Sequence, residues 1–194
     1  MARPSKVENE QGTKRDQLVD SAIRLFYRDG YHAVGIDTIL READIAKMTL
    51  YHHFRSKEEL IVAAIERRSA QIGTELQAAL EAAGPSPRKR LLALFDWHEA
   101  WFRSPGFNGC AMLRAAGEYP ELGSAVHQAV IRAKQASRDR LEAILKDLGV
   151  AQPKALAVQV DMLLQGAISC AHTFGDPDHI VHARKAALAL VGQK

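Results

Sequence analysis

The sequence contains only two cysteines among its 194 residues, Cys110 and Cys170, and neither belongs to a CxxC motif. Both lie among apolar and small residues, so we expect buried, reduced thiols and no disulfide framework. No apolar run approaches the ~18–20 residues that cross a bilayer, so we expect no transmembrane helix and no membrane partner. The polar opening MARPSKVENEQGTKRDQ lacks the apolar middle of a signal peptide. We therefore expect a cytoplasmic protein.

Signatures of catalysis are also missing. The sequence has no HExxH, no glycine-rich phosphate loop and no GxSxG, so we expect no enzyme and no cofactor. Eight histidines are present, but the adjacent His52 and His53 diverge by ~100° on a helix and cannot easily share one metal ion. His179 and His182, at i and i+3, can share a helix face, but no cysteine or carboxylate cluster accompanies them. We expect no metal site.

The N-terminal third of the chain has no excess of charge of either sign. Residues 1–60 contain ten Lys or Arg and ten Asp or Glu, and the whole chain carries a formal net charge of +3. Bulk charge therefore does not indicate a nucleic-acid partner. Such an interpretation depends on where the individual basic side chains point.

Helical periodicity is the dominant pattern that the sequence does contain. Alternating β-branched runs are nearly absent, alanine is abundant, and apolar residues recur at helical spacing, which predicts an all-α fold. Gly30, Gly149 and the breaks AAGPSPRKR, SPGFNG and GDPD separate the elements. Nine helices are predicted, over about residues 14–29, 36–43, 47–53, 57–82, 87–103, 110–119, 121–147, 153–174 and 178–191.

The same signals predict the organisation of the chain. Residues 1–12 are expected to form a flexible arm, with Thr13 capping the first helix. Residues 13–56 are expected to form a small three-helix domain. Ser56 and Glu59 match a capping box for the fourth helix, about 57–82, which connects to the remainder. Residues 83–194 are expected to form a second, larger helical domain.

The stretch ADIAKMTLYHHF, residues 43–54, has the spacing of a helix-turn-helix motif. Its turn contains Asp44, and Asp tolerates the positive φ common in such turns better than most non-glycine residues. Leu50 and Phe54, at i and i+4, are expected to point into the core. The remaining side chains cannot all point inward with them. Their functional interpretation is contact with a DNA major groove, and the spacing leaves an ordinary surface helix open as the alternative.

The longer stretch GYHAVGIDTILREADIAKMTLYHHFRSKEELIVAAI resembles the DNA-binding module of the tetracycline-repressor (TetR) family of bacterial transcription regulators. Phe26, Gly30-Tyr31, Ile39 and Ala43 carry the resemblance, and above all residues 49–54 followed by 56–60. It covers about residues 14–65. The resemblance implies a nine-helix TetR-like fold, in which a helix-turn-helix DNA-binding domain precedes a ligand-binding and dimerisation domain.

Three residues depart from the family pattern. Asp44 stands where family members usually have glycine. Ala46 stands where serine or threonine often ends the turn, which removes a helix cap worth about 0.5–2 kcal/mol. Gly35 stands where a threonine often caps the second helix, so a hydroxyl for phosphate is missing, and Thr38 is expected to substitute for it in part. These departures bear on the affinity for DNA.

The resemblance also implies roles for individual residues. Lys47, Met48 and Thr49 match base-reading positions, and Tyr51, His53 and Lys57 match phosphate-anchoring positions. His52 faces either the groove or solvent. The resemblance implies a homodimer that places two recognition helices on a palindromic operator in double-stranded DNA. An arm carrying Arg3 and Lys6 is a further possible contact, with disorder as the alternative.

In the larger domain, aromatic and polar residues on the fifth, sixth and eighth helices match the composition of small-molecule sites, and a filled aromatic core is the alternative. We expect an unidentified small-molecule effector near His98, Trp101, Met112, His127 and Phe174. The eighth and ninth helices, about 153–174 and 178–191, are rich in small residues. By resemblance they form the dimer interface.

The function expected from these features is that of a ligand-responsive DNA-binding regulator. Its most common form in the family is a repressor that leaves its operator when a small molecule binds the C-terminal domain. Two alternatives stay open at this point. One is a metal-sensing regulator that uses His172, His179 or His182, and the other is a helical adaptor that does not bind DNA.

Overall fold

The computed structural model describes the backbone of residues 6–192 and the side chains of residues 14–192. This part of the chain contains nine α-helices and no strand, which confirms the predicted all-α fold. The helices are α1 (Lys6–Asp29), α2 (Ile36–Ala43), α3 (Lys47–His53), α4 (Lys57–Ala82), α5 (Pro87–Phe102), α6 (Ala111–Glu118), α7 (Ala125–Asp147), α8 (Pro153–Phe174) and α9 (His179–Val191).

The first helix begins earlier than predicted. It starts at Lys6, so Thr13 lies inside α1 and does not cap it. Residues 6–12, assigned to a flexible arm from the sequence, are helical. The segment KVENEQ consists mostly of good helix formers, which explains the extension. Arg3 and the rest of residues 1–5 lie outside the described residues.

The start of α7 also differs from the prediction. The helix begins at Ala125 instead of at about residue 121. The hydroxyl of Ser124 accepts a hydrogen bond from the backbone N–H of His127 at 3.2 Å. This side chain satisfies one of the N–H groups that a helix start leaves without a partner, and the cap fixes the helix end.

The described chain divides into two compact units. The first contains the residues up to Ser69 together with Ala111–Ala133, and its core includes Leu18, Phe26, Ile39, Leu50 and Leu60. The second contains Ala70–Cys110 and the residues from Lys134 on, with a core that α5, α7, α8 and α9 share. Both units include part of α4. The functional division predicted near residues 56 and 83 stays a prediction.

The turn between α2 and α3 has the predicted geometry. Asp44 has φ 52° and is the one non-glycine residue with positive φ in the described chain. Its N–H donates to the carbonyl of Arg41 at 3.4 Å, and the N–H of Ile45 donates to the carbonyl of Leu40 at 3.1 Å. The left-handed residue thus closes α2 and lets the chain turn directly into α3.

The helix starts around this turn lack side-chain caps, as the departures from the family pattern predicted. Gly35 caps α2 and Ala46 caps α3, each in an extended conformation without a side-chain hydrogen bond. At α4, Ser56 Oγ accepts from the N–H of Glu59 at 3.2 Å. Glu59 Oε2 accepts from the N–H of Arg55 at 2.7 Å. In a capping box the glutamate side chain accepts from the N–H of the cap residue, which here is Ser56. In this structure Glu59 accepts instead from the N–H of Arg55, one residue earlier.

Candidate nucleic-acid interface and effector-domain residues

Helix α3 separates its side chains into a buried and an exposed set. Leu50 and Phe54 are buried in the first unit, as predicted. Met48 is 82% exposed and Tyr51 is 48% exposed. The other predicted contact residues lie on the exposed or half-buried side as well: Thr38, Lys47, Thr49, His52 and His53. Two apolar anchors therefore hold a short helix whose other side chains lie on its exposed or half-buried side.

Lys47 and Lys57 are both engaged with neighbouring groups. Lys47 Nζ lies 3.3 Å from Asp37 Oδ1, and both side chains are exposed. Because exposed ion pairs contribute little, this pair leaves Lys47 available to another anion. Lys57 Nζ donates to the carbonyl of His32 at 3.3 Å, and partial burial lowers its pKa. Lys57 is thus held at the start of α4.

His53 is the most buried of the predicted phosphate-anchoring groups on α3. Burial lowers the pKa of His53, and the nearby His52 and Arg15 lower it further. Its Nε2 is buried and has no hydrogen-bond partner among the described residues. The imidazole is therefore neutral at pH 7. It can offer an N–H to a phosphate oxygen, but it does not contribute a charge.

Positions 1–60 contain ten acidic and ten basic residues, and only some of them form ion pairs in the structure. Several carboxylates are occupied: Asp16 and Asp20 bind Arg67, Glu42 binds Arg24, and Asp29 binds Arg28. Among the described side chains, no carboxylate forms an ion pair with Arg15, Arg41 or Arg55. Because Arg67 lies outside positions 1–60, its ion pairs with Asp16 and Asp20 leave basic groups of this range without an acidic partner.

Arg15 is the member of this surface that the sequence did not indicate. Its guanidinium carbon lies 5.1 Å from the ring centroid of Phe54, the residue that follows α3. A cation above an aromatic face is held by the ring quadrupole. Arg15 is exposed and raises the local positive potential near His53. No sequence signal joins positions 15 and 54, because the contact depends on how α1 packs against α3.

A hydrogen-bonded connection joins α6 to the segment between α1 and α2. Glu118 Oε1 accepts from the N–H of Tyr31 at 3.0 Å, and Glu118 Oε2 accepts from the N–H of His32 at 2.5 Å. The hydroxyl of Tyr31 donates to the carbonyl of Ala111 at 3.2 Å, and Arg114 Nη1 donates to the carbonyl of Tyr27 at 3.0 Å. Both ends of α6 are therefore attached to the helix-turn-helix module.

The five predicted effector residues do not fall into one compact unit. Met112 and His127 belong to the first unit, where Met112 is buried and His127 Nδ1 lies 2.7 Å from the carbonyl oxygen of Tyr119. His98, Trp101 and Phe174 belong to the second unit. Phe174 is 71% exposed and stacks on His179, with ring centroids 5.7 Å apart. Phe174 therefore does not line an enclosed site within its own unit.

His98 and Trp101 belong to an aromatic cluster on α5 and the loop that follows. The ring centroids of His98 and Trp101 are 6.3 Å apart, and those of Trp101 and Phe107 are 5.1 Å apart. Burial lowers the pKa of His98 to about 4, although its hydrogen bond with the carbonyl of Leu94 opposes the shift. His98 is consequently a neutral, oriented imidazole beside an apolar surface at pH 7.

The described side chains contain no group of three or more His, Cys, Asp or Glu residues that could hold a metal ion. The histidines considered for metal sensing have other neighbours. His172 Nε2 lies 3.0 Å from Asn108 Oδ1, and His179 Nδ1 lies 2.9 Å from the carbonyl oxygen of Asp176. In the described residues, no helix is long and apolar enough to span a bilayer.

Comparison with known proteins agrees with this geometry. The family described as bacterial regulatory proteins of the tetR family matches residues 18–64, which cover the helix-turn-helix module. The family described as the tetracyclin repressor-like C-terminal domain matches residues 87–187. Together the two matches include the recognition helix and most of the larger domain.

A solved structure extends the comparison to most of the chain, and a curated relative extends it to part of the chain. The crystal structure of SCO4454, a TetR-family transcriptional regulator from Streptomyces coelicolor, is 33% identical, with a TM-score of 0.81 over 93% of this chain and 96% of that one. The HTH-type transcriptional repressor NemR of Escherichia coli K12 is 28% identical over 117 residues, 60% of this chain. That match spans 59% of NemR.

A third relative is an activator, whereas NemR is a repressor. The HTH-type transcriptional activator FasR of Mycolicibacterium smegmatis is 38% identical over 83 residues, 43% of this chain and 37% of FasR. The two family matches and the likeness to SCO4454 over 93% of this chain point to the same family. The chain therefore belongs to the TetR family of helix-turn-helix transcriptional regulators.

Proposed function

We propose that this protein is a repressor that binds a palindromic DNA operator as a homodimer and leaves it when a small molecule binds its larger domain. The observation that carries the proposal is the division of α3. Leu50 and Phe54 anchor the helix, while Met48 and Tyr51 are exposed beside unpaired cations. The relatives include both a repressor and an activator, so the sign of regulation rests on the commoner behaviour of the family.

In this proposal α3 enters the major groove. Lys47, Met48 and Thr49 read base edges: the methionine contacts a thymine methyl group, and the lysine and threonine form hydrogen bonds. Tyr51, His53 and Lys57 position the helix through phosphate oxygens, with Thr38 at the start of α2 as a further contact. Arg15 joins these phosphate contacts, because its guanidinium lies over the ring of Phe54, the residue that follows α3.

The dimer is proposed to form through α8 and α9. Positions spaced three and four residues apart on α8 form one exposed stripe without a charged residue: Ala155, Val158, Met162, Gly166, Ser169 and Thr173. Met162 is 66% exposed, and Leu190 on α9 is exposed as well. Small residues allow close approach of helices, and a second copy would remove this apolar surface from water.

Release from DNA is proposed to follow a shift in the population of two conformations. An effector must bind the DNA-incompetent state more tightly than the DNA-competent one, or the equilibrium does not move. Helix α4 is suited to link the two activities because it contributes residues to both compact units. Arg67 on this helix forms ion pairs with Asp16 and Asp20 of α1. A movement of α4 would therefore be transmitted through these ion pairs to the helix-turn-helix module. Arg68 and Gln71 lie on the same helix.

The proposal includes no catalytic activity, no metal and no cofactor other than the unidentified effector. The relatives compared above are transcription regulators, and a regulator of this type acts on the chromosome in the cytoplasm. The partners are therefore double-stranded DNA, a second copy of the chain and a small molecule.

Electrophoretic mobility shifts with DNA from upstream of the protein's own gene test the proposal. Met48→Ala and Tyr51→Ala remove exposed side chains, so they should weaken operator binding by about tenfold or more while leaving stability nearly unchanged. Leu122→Ala is the matched control, because Leu122 is 68% exposed but lies outside the helix-turn-helix module. Undiminished binding by both α3 variants would contradict the assigned docking mode.

A further inference from the structure

A chain of partly buried polar contacts joins α7 and α8 in the second unit. Arg138 Nη2 lies 2.9 Å from Asp161 Oδ2, and Lys134 Nζ lies 2.7 Å from Gln165 Oε1. Gln165 Nε2 donates to Asp161 Oδ1 at 2.9 Å. Lys134 and Arg138 are at i and i+4 on α7, and Asp161 and Gln165 are at i and i+4 on α8. The four side chains therefore form two adjacent rungs between two helices.

The hydrogen bonds of Gln165 determine what Lys134 contacts. Because the amide N–H₂ is directed to Asp161, the amide oxygen is the atom that faces Lys134. The other contact of Lys134 Nζ is Cys110 Sγ at 3.4 Å. Neither contact is a carboxylate, and an ammonium has three N–H donors. Among the described side chains, Lys134 therefore has no carboxylate partner.

The charges of this cluster do not cancel. Asp161 is only 6% exposed and is neutralised by Arg138. Arg138 Nε is buried and has no hydrogen-bond partner among the described residues. Burial lowers the pKa of His98 to about 4, so His98 is neutral at pH 7. The charge of Lys134 lowers this pKa further, and the charge of Asp161 raises it. Two cations thus face one carboxylate, and each cation has an N–H donor without an acceptor among the described residues.

An aromatic cluster lies near the charged groups, because His98, whose pKa both Lys134 and Asp161 affect, belongs to it. His98 contacts Trp101 edge to face, and Trp101 packs against Phe107. A partly buried positive charge is costly without a counter-ion, and an anion that also contacts the aromatic cluster would offset this cost. A site of this composition favours a molecule with one negative charge and an aromatic or aliphatic body.

We propose that the effector of this regulator is a small organic acid whose carboxylate binds Lys134 and Arg138 and whose apolar body packs against Trp101. The inference rests on the proposed function for the existence of an effector, and it adds the chemical class. The proposal requires that Lys134 distinguishes a negatively charged ligand from a neutral one. Arg138 has the additional task of neutralising Asp161, so Lys134 is the residue to vary.

The test uses three probes with one carbon skeleton and different charges: 4-phenylbutyrate, 4-phenylbutan-1-ol and 4-phenylbutylamine. Binding is followed by tryptophan fluorescence, because both tryptophans of the chain, Trp97 and Trp101, lie on α5. The wild-type protein should bind the acid at least about tenfold more tightly than the alcohol, the difference expected when a charged acceptor is lost. The amine should bind more weakly than the alcohol.

Three variants separate charge recognition from folding. Lys134→Met should bind the acid and the alcohol with equal affinity. Lys134→Arg, which keeps the charge, should retain the preference for the acid. Lys154→Met is the matched control, because Lys154 is an exposed lysine on α8 outside the cluster. All three variants should bind DNA like the wild-type protein.

The outcomes distinguish this inference from the proposed function. Equal affinity of the wild-type protein for the acid and the alcohol, a preference for the acid that survives in Lys134→Met, or no saturable signal with any probe overturns the organic-acid assignment. Each of these results leaves the regulator intact if the wild-type protein still binds its DNA. Loss of DNA binding in the wild-type protein would contradict the proposed function itself.

Discussion

Glu118 and His32 are joined by two hydrogen bonds, and His32 is the donor in both. The carboxylate of Glu118 accepts from the backbone N–H of His32 at 2.5 Å, and His32 Nε2 lies 2.7 Å from the carbonyl oxygen of Glu118. The same carboxylate accepts from the N–H of Tyr31. The last residue of α6 thus fixes the segment that leads from α1 into α2.

We expect Glu118→Ala to destabilise the first unit by about 2 kcal/mol, because two backbone N–H groups lose a charged acceptor. Chemical denaturation followed by circular dichroism measures the change. Glu121→Ala, at an exposed position three residues further on, is the control and should have little effect. Equal stability of the two variants would show that the carboxylate does not support the segment.

Asp44 offers a test of the backbone of the turn. Asp44→Gly should stabilise the protein by about 0.5–1 kcal/mol, because glycine adopts the observed φ of 52° at a lower cost. Asp139→Gly, in the middle of α7, should have the opposite sign, since glycine weakens a helix interior. Thermal melts of both variants provide the comparison. A destabilised Asp44→Gly would mean that the aspartate side chain outweighs the strain.

Arg15 should contribute one phosphate contact. Arg15→Ala is expected to weaken binding to all DNA sequences alike and to reduce the slope of log K against log salt concentration by about 1. Arg28→Ala is the matched control on the same helix, because Arg28 forms two hydrogen bonds with Asp29. Fluorescence anisotropy over a salt series measures both slopes. An unchanged slope for Arg15→Ala would remove Arg15 from the interface.

His98 should make the stability of the protein depend on pH. Its pKa is about 4 in the folded protein and 6.5 in its ordinary state. Between these values the unfolded chain binds a proton that the folded chain does not. Stability therefore falls as the pH is lowered from about 6.5 to about 4, by up to about 3 kcal/mol, and this contribution levels off below that range.

The measurement is the free energy of unfolding from pH 7.5 to pH 4 for the wild-type protein and for His98→Asn. The variant should show a flatter profile, because asparagine does not titrate. His182→Asn, at an exposed position on α9, is the control. Parallel profiles for the wild-type protein and His98→Asn would contradict the assignment.

The exposed stripe on α8 predicts the assembly state. Met162→Glu places a charge in the centre of the proposed interface, so it should convert dimers into monomers at micromolar concentration. Light scattering coupled to size-exclusion chromatography measures the mass. Leu122→Glu, at an equally exposed apolar position on the first unit, should leave the dimer intact. Dimers of unchanged stability in Met162→Glu would place the interface elsewhere.

Local signals in the sequence determined the fold and the character of the recognition helix. Apolar spacing gave seven of the nine helices close to their observed ends, and the buried pair Leu50 and Phe54 followed from i and i+4 geometry. The positive φ at Asp44 followed from the tight turn. These features depend on residues a few positions apart, so a single sequence contains the information. The predicted start of α1 was too late because threonine favours helix caps but also occurs inside helices. Thr13 lies inside α1, which begins at Lys6.

Tertiary structure alone decided which charges are free and which groups act together. Arg67 removes two carboxylates of α1 from the balance, Arg15 reaches Phe54, and Glu118 reaches Tyr31 and His32. The partners in each pair are separated by tens of residues. Their contact depends on how the helices pack, and periodicity does not encode that packing. For the same reason the sequence identified His98 and Trp101 by composition, but not the charged rungs of α7 and α8 beside them.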